Sequence, residues 1–445
     1  MRNRKSVLAA LSLAAGVMIL CGCGGAGQER EDKALQEPLP VRYDGREHGR
    51  TAQAEDQSDL GTCWAFASLL ALENSLLPEE YYDFSEDHMS NNPDFVLGQA
   101  DGGDYTMAMA YLLSWQGPVL EQDDPYGDGV SPEGLLPVKH VQEIQILPPG
   151  ESEAIKRAVL EHGGVQSSLY TTLLNGGETS EYYNRETNAY CYPEEIEPNH
   201  DVVIVGWDDG FPKEAFSVEV PGDGAFLCEN SWGQQFGEDG FFYVSYYDGN
   251  LGKVNVCYSS VEDTDNYDHI YQSDRCGWIG QLGYGKETAW AAGVYTAGQR
   301  ERLEAVGFYA IDRDTDYEVY VVPLEGDGAG LAGGEPEASG GQPDLGRLDR
   351  RRPAASGHLE YSGYYTIPLK RAVKLAAGER FAVVVKITTP GAVHPIAIEY
   401  DAGDGKCSID LGDGEGYISP DGTSWERLET GYSCNVCLKA YSSDR

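Results

Sequence analysis

The spacing of apolar residues changes once, at Gly164, and that change restricts the fold more than any other feature of the chain. Before it, apolar side chains recur at helical spacing in three stretches. "CWAFASLLALENSLL" (63–77) runs up to Pro78, "DYTMAMAYLLSWQ" (104–116) runs up to Gly117-Pro118, and "ESEAIKRAVLEHGG" (151–164) ends on its own glycines. After it come β-branched and aromatic runs of strand length: "VQSSLY", "DVVIVGW", "GAFLCENSW" and "GFFYVSYY". Helices first and strands second predict an α+β unit whose halves face each other across a cleft.

A chain of 445 residues exceeds one ordinary core, and a second boundary falls in "SVEDTDNYD", near 260–268. Beyond it helical periodicity all but ends. Short runs such as "WAAGVYTA", "YEVYVVPL" and "RFAVVVKI" alternate with Gly, Asp and Pro turns, which predicts an all-β sandwich of jelly-roll type. Residues 325–357, rich in Gly, Pro and Ala and carrying "RLDRRRP", read as a long exposed loop.

The first residues form an address. Arg2, Arg4 and Lys5 precede an apolar core at 7–20, too short to cross a bilayer comfortably. "LCGC" follows, and resembles the lipobox of bacterial lipoproteins. That implies cleavage before Cys23 and lipidation of its thiol. The alternative is an ordinary secretory signal cleaved near residues 24–26, and either route exports the protein. The expected organisation is a lipoprotein signal over 1–22, a polar tether over 23–38, an α+β unit over 39–260 and a β-sandwich over 265–443. A net charge of -41 disfavours nucleic acid and anionic membrane surfaces as partners, which leaves the lipid as the only membrane contact.

Cys63 stands where the first helix begins, and a helix N-terminus favours a thiolate. Thiol catalysis also needs a base, a group that orients the base, and donors for an oxyanion. His88, His140 and His162 lie in polar or helix-end stretches, where solvated surface histidines are the rule. His200 opens the apolar strand "HDVVIVGW". A lone histidine there is ordinarily structural, but Asn230 in "ENSWG" supplies an acceptor that can fix the ring, with Trp232 beside it as a shield.

"QSDLGTCWAFA", "NHDVVIVGW" and "ENSWGQQFGEDGFFYVSY", in that order and at workable spacings, resemble the signature blocks of papain-like cysteine proteases. The resemblance implies a helical subdomain and a β-barrel subdomain with the site between them. By position it makes Cys63 the nucleophile, His200 the general base and then acid, and Asn230 the orienting residue. Gln57 becomes the oxyanion donor beside the Cys63 N–H. Gly102 and Gly103, with Trp232, become substrate-binding positions, the glycines offering bare backbone to an extended peptide. The family's cysteine three residues before the nucleophile is Leu60 here, and its partner before the glycine pair is Asp101. Seven cysteines scattered from Cys191 to Cys437 do not form a dense disulfide framework, so independence from disulfides is expected. Cys434 and Cys437 would lie on opposite faces of a strand, which argues against zinc.

The second region resembles the lectin-like module that follows the protease domain in cell-surface proteases of clostridia and related bacteria, through "YDHIYQSD", "YYTIPLKRAVKLAAGERFAVVVK" and "GYISPDGTSWERL". The implied function is a membrane-anchored extracellular cysteine endopeptidase acting on proteins or peptides, with a carbohydrate or cell-wall ligand open for the β-region. No cofactor is required. Calcium is suggested only by acidic stretches such as "IDRDTDYE" and "DAGDGKCSIDLGDGEG", which read equally as solvated loops. The alternative is an inert surface adhesin acting through the lectin-like domain. The presence of Gln57, Cys63, His200 and Asn230 together favours the enzyme.

Overall fold

The computed structural model describes residues 38–173, 179–324, 345 and 352–444. The proposed signal, Cys23 and nearly all of the tether lie outside the described residues, as does most of the 325–357 stretch. Within that stretch the expected loop gives way to a strand at Ala355–Leu359, paired with Thr315–Leu324.

The described residues from Pro40 onward pack as one compact unit. At its centre runs the helix Cys63–Leu76, buried on every side from Trp64 to Asn74. A helix that is apolar all round belongs in a core rather than on a surface. Helix Tyr105–Leu113 starts on an Asp104 cap, whose carboxylate accepts from the Thr106 N–H at 2.8 Å. Helix Ser152–His162 is amphipathic, burying Ile155, Ala158 and Val159, and stops at Gly163. That residue has φ +84°, and a Cβ there would fall 2.1 Å from the Asn74 carbonyl, so only glycine fits.

This half also holds elements that its apolar spacing did not announce. A short helix, Glu86–Ser90, is capped by the Ser85 hydroxyl, which accepts from the His88 N–H at 3.0 Å. A strand, Lys139–Ile146, precedes the Ser152–His162 helix. It is buried on both faces for half its length, so its polar residues hid it from a search for alternation.

That strand joins the two regions. Its partners are Asn255–Asp263 on one side and Ser362–Leu375 on the other, the latter from Ser362 opposite Ile146 to Tyr365 opposite Glu143. A single sheet thus runs from His269–Tyr271 through Leu438–Ser443, Glu301–Ala310, Ser362–Leu375 and Lys139–Ile146. It continues through Asn255–Asp263, Val165–Leu169, His200–Asp208, Ala225–Glu229 and Phe241–Ser245 to two short strands at Ala189–Tyr190 and Tyr183–Asn184. A second, six-stranded sheet centred on Thr288–Thr296 and Arg380–Thr388 faces its C-terminal end. Phe308, Ile367, Val383 and Val385 fill the space between. The architecture is papain-like in the first half and an all-β sandwich in the second.

One expectation is corrected. Cys276 and Cys407 form a disulfide across 131 residues, so the chain does use one. The pair was hidden by that distance and by the odd number of its neighbours. Cys434 and Cys437 are free and buried, the first in the sandwich core and the second in the core around the Cys63 helix. His88, His140 and His162 are not solvated surface residues either. His88 Nδ1 meets the Tyr111 hydroxyl at 2.7 Å, and His140 stacks on Trp115 with centroids 3.8 Å apart and contacts Asn266. His162, half-buried at a helix end, has its pKa pushed down to about 4 by burial.

Candidate active site

Cys63 is the first residue of its helix and is partly open to solvent. The cap residue Thr62 spends its hydroxyl on the Tyr126 hydroxyl at 2.6 Å instead of on the helix. The helix start therefore has no side-chain cap, and the backbone N–H groups of Cys63 and Trp64, with that of Asp201 from the strand opposite, favour the thiolate against the larger opposing effect of burial. Asp201 directly follows His200, which brings the thiol and the start of that strand together across the cleft.

His200 is buried, and its Nε2 lies 2.7 Å from Asn230 Oδ1. The same oxygen accepts from the Ser231 N–H at 2.9 Å, which fixes the amide's orientation. An oxygen at that point can only accept, so His200 Nε2 carries a proton and Nδ1 keeps its lone pair. Trp232 stacks on the imidazole with centroids 4.7 Å apart and meets Phe236 edge-on, covering the His200–Asn230 bond.

Gln57 reaches the site through the loop that carries Asn230. Its N–H donates to the Ser231 carbonyl at 2.9 Å, and its Oε1 accepts from the Ser231 hydroxyl at 2.6 Å. Its Nε2 donates one hydrogen to the Leu60 carbonyl at 2.7 Å and retains a second. Gly102 and Gly103 run beside the approach to Cys63. A Cβ on Gly61 would stand 3.0 Å from the Gly102 nitrogen, and one on Gly103 would stand 2.5 Å from the Trp64 ring. Gly102 itself takes φ +88°.

Burial opposes charge on each member of the pair when taken singly. It pushes the Cys63 thiol up to about 12, aided by the nearby Asp201 carboxylate, and pushes His200 down to about 4.

Sequence reasoning missed the supports. Asp201 sits under the site with its carboxylate accepting from Gln166 Nε2 at 3.0 Å, and the Ser68 hydroxyl lies 2.9 Å from Gln166 Oε1. Burial raises Asp201 to about 6. A cluster of carboxyls, Glu55 half-buried and Glu73, Glu86 and Glu229 buried, lies behind the loops that carry Gln57 and Asn230. Burial first, then repulsion from Asp83, raises Glu55 to about 7; burial first, then repulsion from Glu55, raises Glu229 to about 8 and lifts Glu73 and Glu86 well above the usual range. The sequence signal was present: Glu55 precedes Gln57 by two residues and Glu229 immediately precedes Asn230. Among the described residues no group of three or more His, Cys, Asp or Glu side chains is arranged to hold a metal ion.

The imidazole–amide contact of His200 and Asn230, with Cys63 at its helix start, stands in a papain-like fold. The chain matches the papain family cysteine protease domain over residues 39–261 and a lectin-like domain over residues 270–442. The first match spans half the chain, and the protein belongs to the papain family. Over 91% of its length it superposes on all of a clostridial cysteine protease, Cwp84 after propeptide cleavage, with a TM-score of 0.78 and 27% identity. The cysteine protease and lectin-like domains of Cwp84, described as a surface layer associated protein of Clostridium difficile, match 92% of this chain and 90% of that one, with a TM-score of 0.76 and 26% identity. Cathepsin S of Bos taurus is 27% identical over 230 residues, 48% of this chain and 62% of the relative. Cysteine proteinase 1 of Zea mays is 25% identical over 224 residues, 46% and 56%. The chain spans about half the length of the curated relatives it matches.

Proposed function

We propose that the protein is an exported, membrane-anchored cysteine endopeptidase that hydrolyses peptide bonds through an acyl-enzyme on Cys63. The observation that carries this reading is the fixed tautomer of His200, set by an Asn230 oxygen that the Ser231 N–H already holds. The substrate lies extended along Gly102–Gly103, beside Trp232. Cys63 Sγ attacks the scissile carbonyl carbon as its proton passes to His200 Nδ1. The oxyanion is met by the Cys63 N–H and the second hydrogen of Gln57 Nε2. As the C–N bond breaks, His200 returns the proton to the departing amine. Water then adds to the thioester, giving one proton to His200, and the acid leaves as the thiol re-forms. This acyl transfer needs no metal or cofactor. Lipidation of Cys23 would hold the enzyme on the outer face of the membrane. The surface-layer association of Cwp84 supports an extracellular setting.

The test is intact mass after incubating residues 24–445 with an epoxysuccinyl inhibitor. One adduct is expected on the wild type, none on Cys63→Ala, and slowed labelling on His200→Ala. Absence of an adduct on folded wild type would overturn the reading and favour an inert binding protein. The anchor is checked separately by loss of membrane association in Cys23→Ser.

A further inference from the structure

The second region does more than cover the edge of the sheet. Its loop around Cys407 grips the segment that leads into Gly102–Gly103. The Val96 N–H donates to the Lys406 carbonyl at 3.0 Å, the Ser408 N–H donates to the Asp94 carbonyl at 2.9 Å, and Phe95 and Cys407 pair as an isolated bridge. Lys406 Nζ lies 2.6 Å from the carboxylate of Asp104, the residue after Gly103, and Arg275 Nε lies 2.8 Å from that of Asp94. The Cys276–Cys407 disulfide ties this loop to the strand region behind it.

Between the loop and the first turn of the Tyr105–Leu113 helix lies a cavity of 220 Å³. Its walls include Phe95, Tyr105, Met107 and Trp278, together with the Cys276–Cys407 disulfide and Lys406. The cavity is smaller than the roughly 300–1,000 Å³ typical of sites for whole small molecules, and suits one large side chain. Its position is equally specific. It begins one residue past the backbone edge at Gly103, and Phe95 in its wall packs edge-on against Trp64, the neighbour of Cys63, with centroids 6.1 Å apart. An extended chain advances about 3.3 Å per residue, so a peptide paired along Gly102–Gly103 reaches the cavity within two or three residues of the bond at Cys63.

We propose that this cavity is a substrate subsite built jointly by the two regions, and that it takes an aromatic side chain on the third residue before the scissile bond. The inference rests on the peptidase reading above. The lining charges are already engaged: Lys406 is paired with Asp104, and Asp404 accepts from the Lys406 N–H at 3.0 Å. Beside these paired polar groups, the rings of Phe95, Tyr105 and Trp278 and the sulfur of Met107 offer contacts that reward a flat, polarisable ring. The lectin-like region thereby sets which peptides the cleft prefers.

The test uses fluorogenic amide substrates with three residues before the scissile bond, identical except for Ala or Phe at the third. Wild type is expected to favour Phe by about tenfold or more in kcat/KM, the range for filling an apolar pocket. Ala402→Trp, which sets an indole into the lining, and Trp278→Ala, which removes a wall, are each expected to bring that ratio to near one. The ratio is read within each enzyme, so a general loss of activity does not mimic the effect. Equal turnover of the two substrates by wild type, or an unchanged ratio in Ala402→Trp, would overturn the subsite while leaving the peptidase reading intact. Failure of wild type both to label at Cys63 and to cleave any substrate would overturn that reading, and the subsite with it.

Discussion

Replacing Glu229 by Gln should stabilise the protein increasingly as pH rises. The carboxyl is fully buried, accepts from Asn74 Nδ2 at 3.2 Å through one oxygen, and has no partner on the other. Burial and the nearby Glu55 hold it protonated to about pH 8, against an ordinary value of 4.5. The folded state thus keeps a proton that the unfolded chain has released. The stability tied to this group is complete below the unfolded value, is lost as pH climbs, and stops falling once pH passes about 8. Over that window the loss runs at about 1.4 kcal/mol per pH unit, on the order of 4–5 kcal/mol in all. That is a large share of the ~5–15 kcal/mol typical of a folded domain. Gln keeps the acceptor for Asn74, offers an N–H to the neighbouring carboxylates and cannot ionise. Urea unfolding at pH 5.5 and 7.5, in a Cys63→Ala background to prevent self-cleavage, measures the difference. The advantage of Glu229→Gln should grow by about 2.5 kcal/mol between the two. Parallel pH dependence in the two proteins would refute the claim that this group folds with its proton on.

Asn230→Ala removes the acceptor that fixes His200. It should lower kcat by about 10²-fold with little change in KM, because the ring loses its tautomer and aim while the peptide contacts stay. Comparable losses in both parameters would show that Asn230 shapes the cleft instead. Asp201→Asn removes the carboxylate whose charge opposes the Cys63 thiolate. The pH profile for alkylation of Cys63 should therefore move to lower pH, and an unmoved profile would place the Asp201 charge too far away to matter.

The site was legible because chemistry dictates local sequence. The candidate nucleophile at a helix start, a histidine at a strand mouth and an asparagine beside an aromatic shield each sit in a short motif, and the fold joins His200 to Asn230 and sets Asp201, the residue after His200, near Cys63. The supports were not legible for a physical reason. Asp201, Ser231 and Glu229 resemble any surface polar residue until the strand Ala225–Glu229 is buried on both faces. The Lys139–Ile146 strand, "KHVQEIQI", carries five polar residues among its eight, and only its neighbours on both sides make it a central strand. The Cys276–Cys407 pair was invisible because nothing local links residues 131 apart.

The shared sheet makes the second region part of the first region's core. Tyr309, Tyr364, Ala397 and Cys437 belong to the same buried cluster as Trp64, Leu69 and Leu112 of the helical half. The Tyr364 hydroxyl bonds that of Tyr441, itself buried, at 2.6 Å. A chain cut after Asp263 would expose those contacts and leave Lys139–Ile146 as an uncovered edge strand. Each large buried apolar side chain contributes about 1.5–3 kcal/mol, so losing the two tyrosines and their neighbours removes on the order of 5 kcal/mol or more. Set against a total of ~5–15 kcal/mol, that leaves little margin. Residues 39–263 alone should therefore aggregate or unfold without a cooperative transition, whereas 39–445 should melt cooperatively and label at Cys63. A soluble 39–263 fragment that melts cooperatively and takes up the epoxysuccinyl label at the full-length rate would show that the protease half carries its own core, and that the common sheet only docks the two.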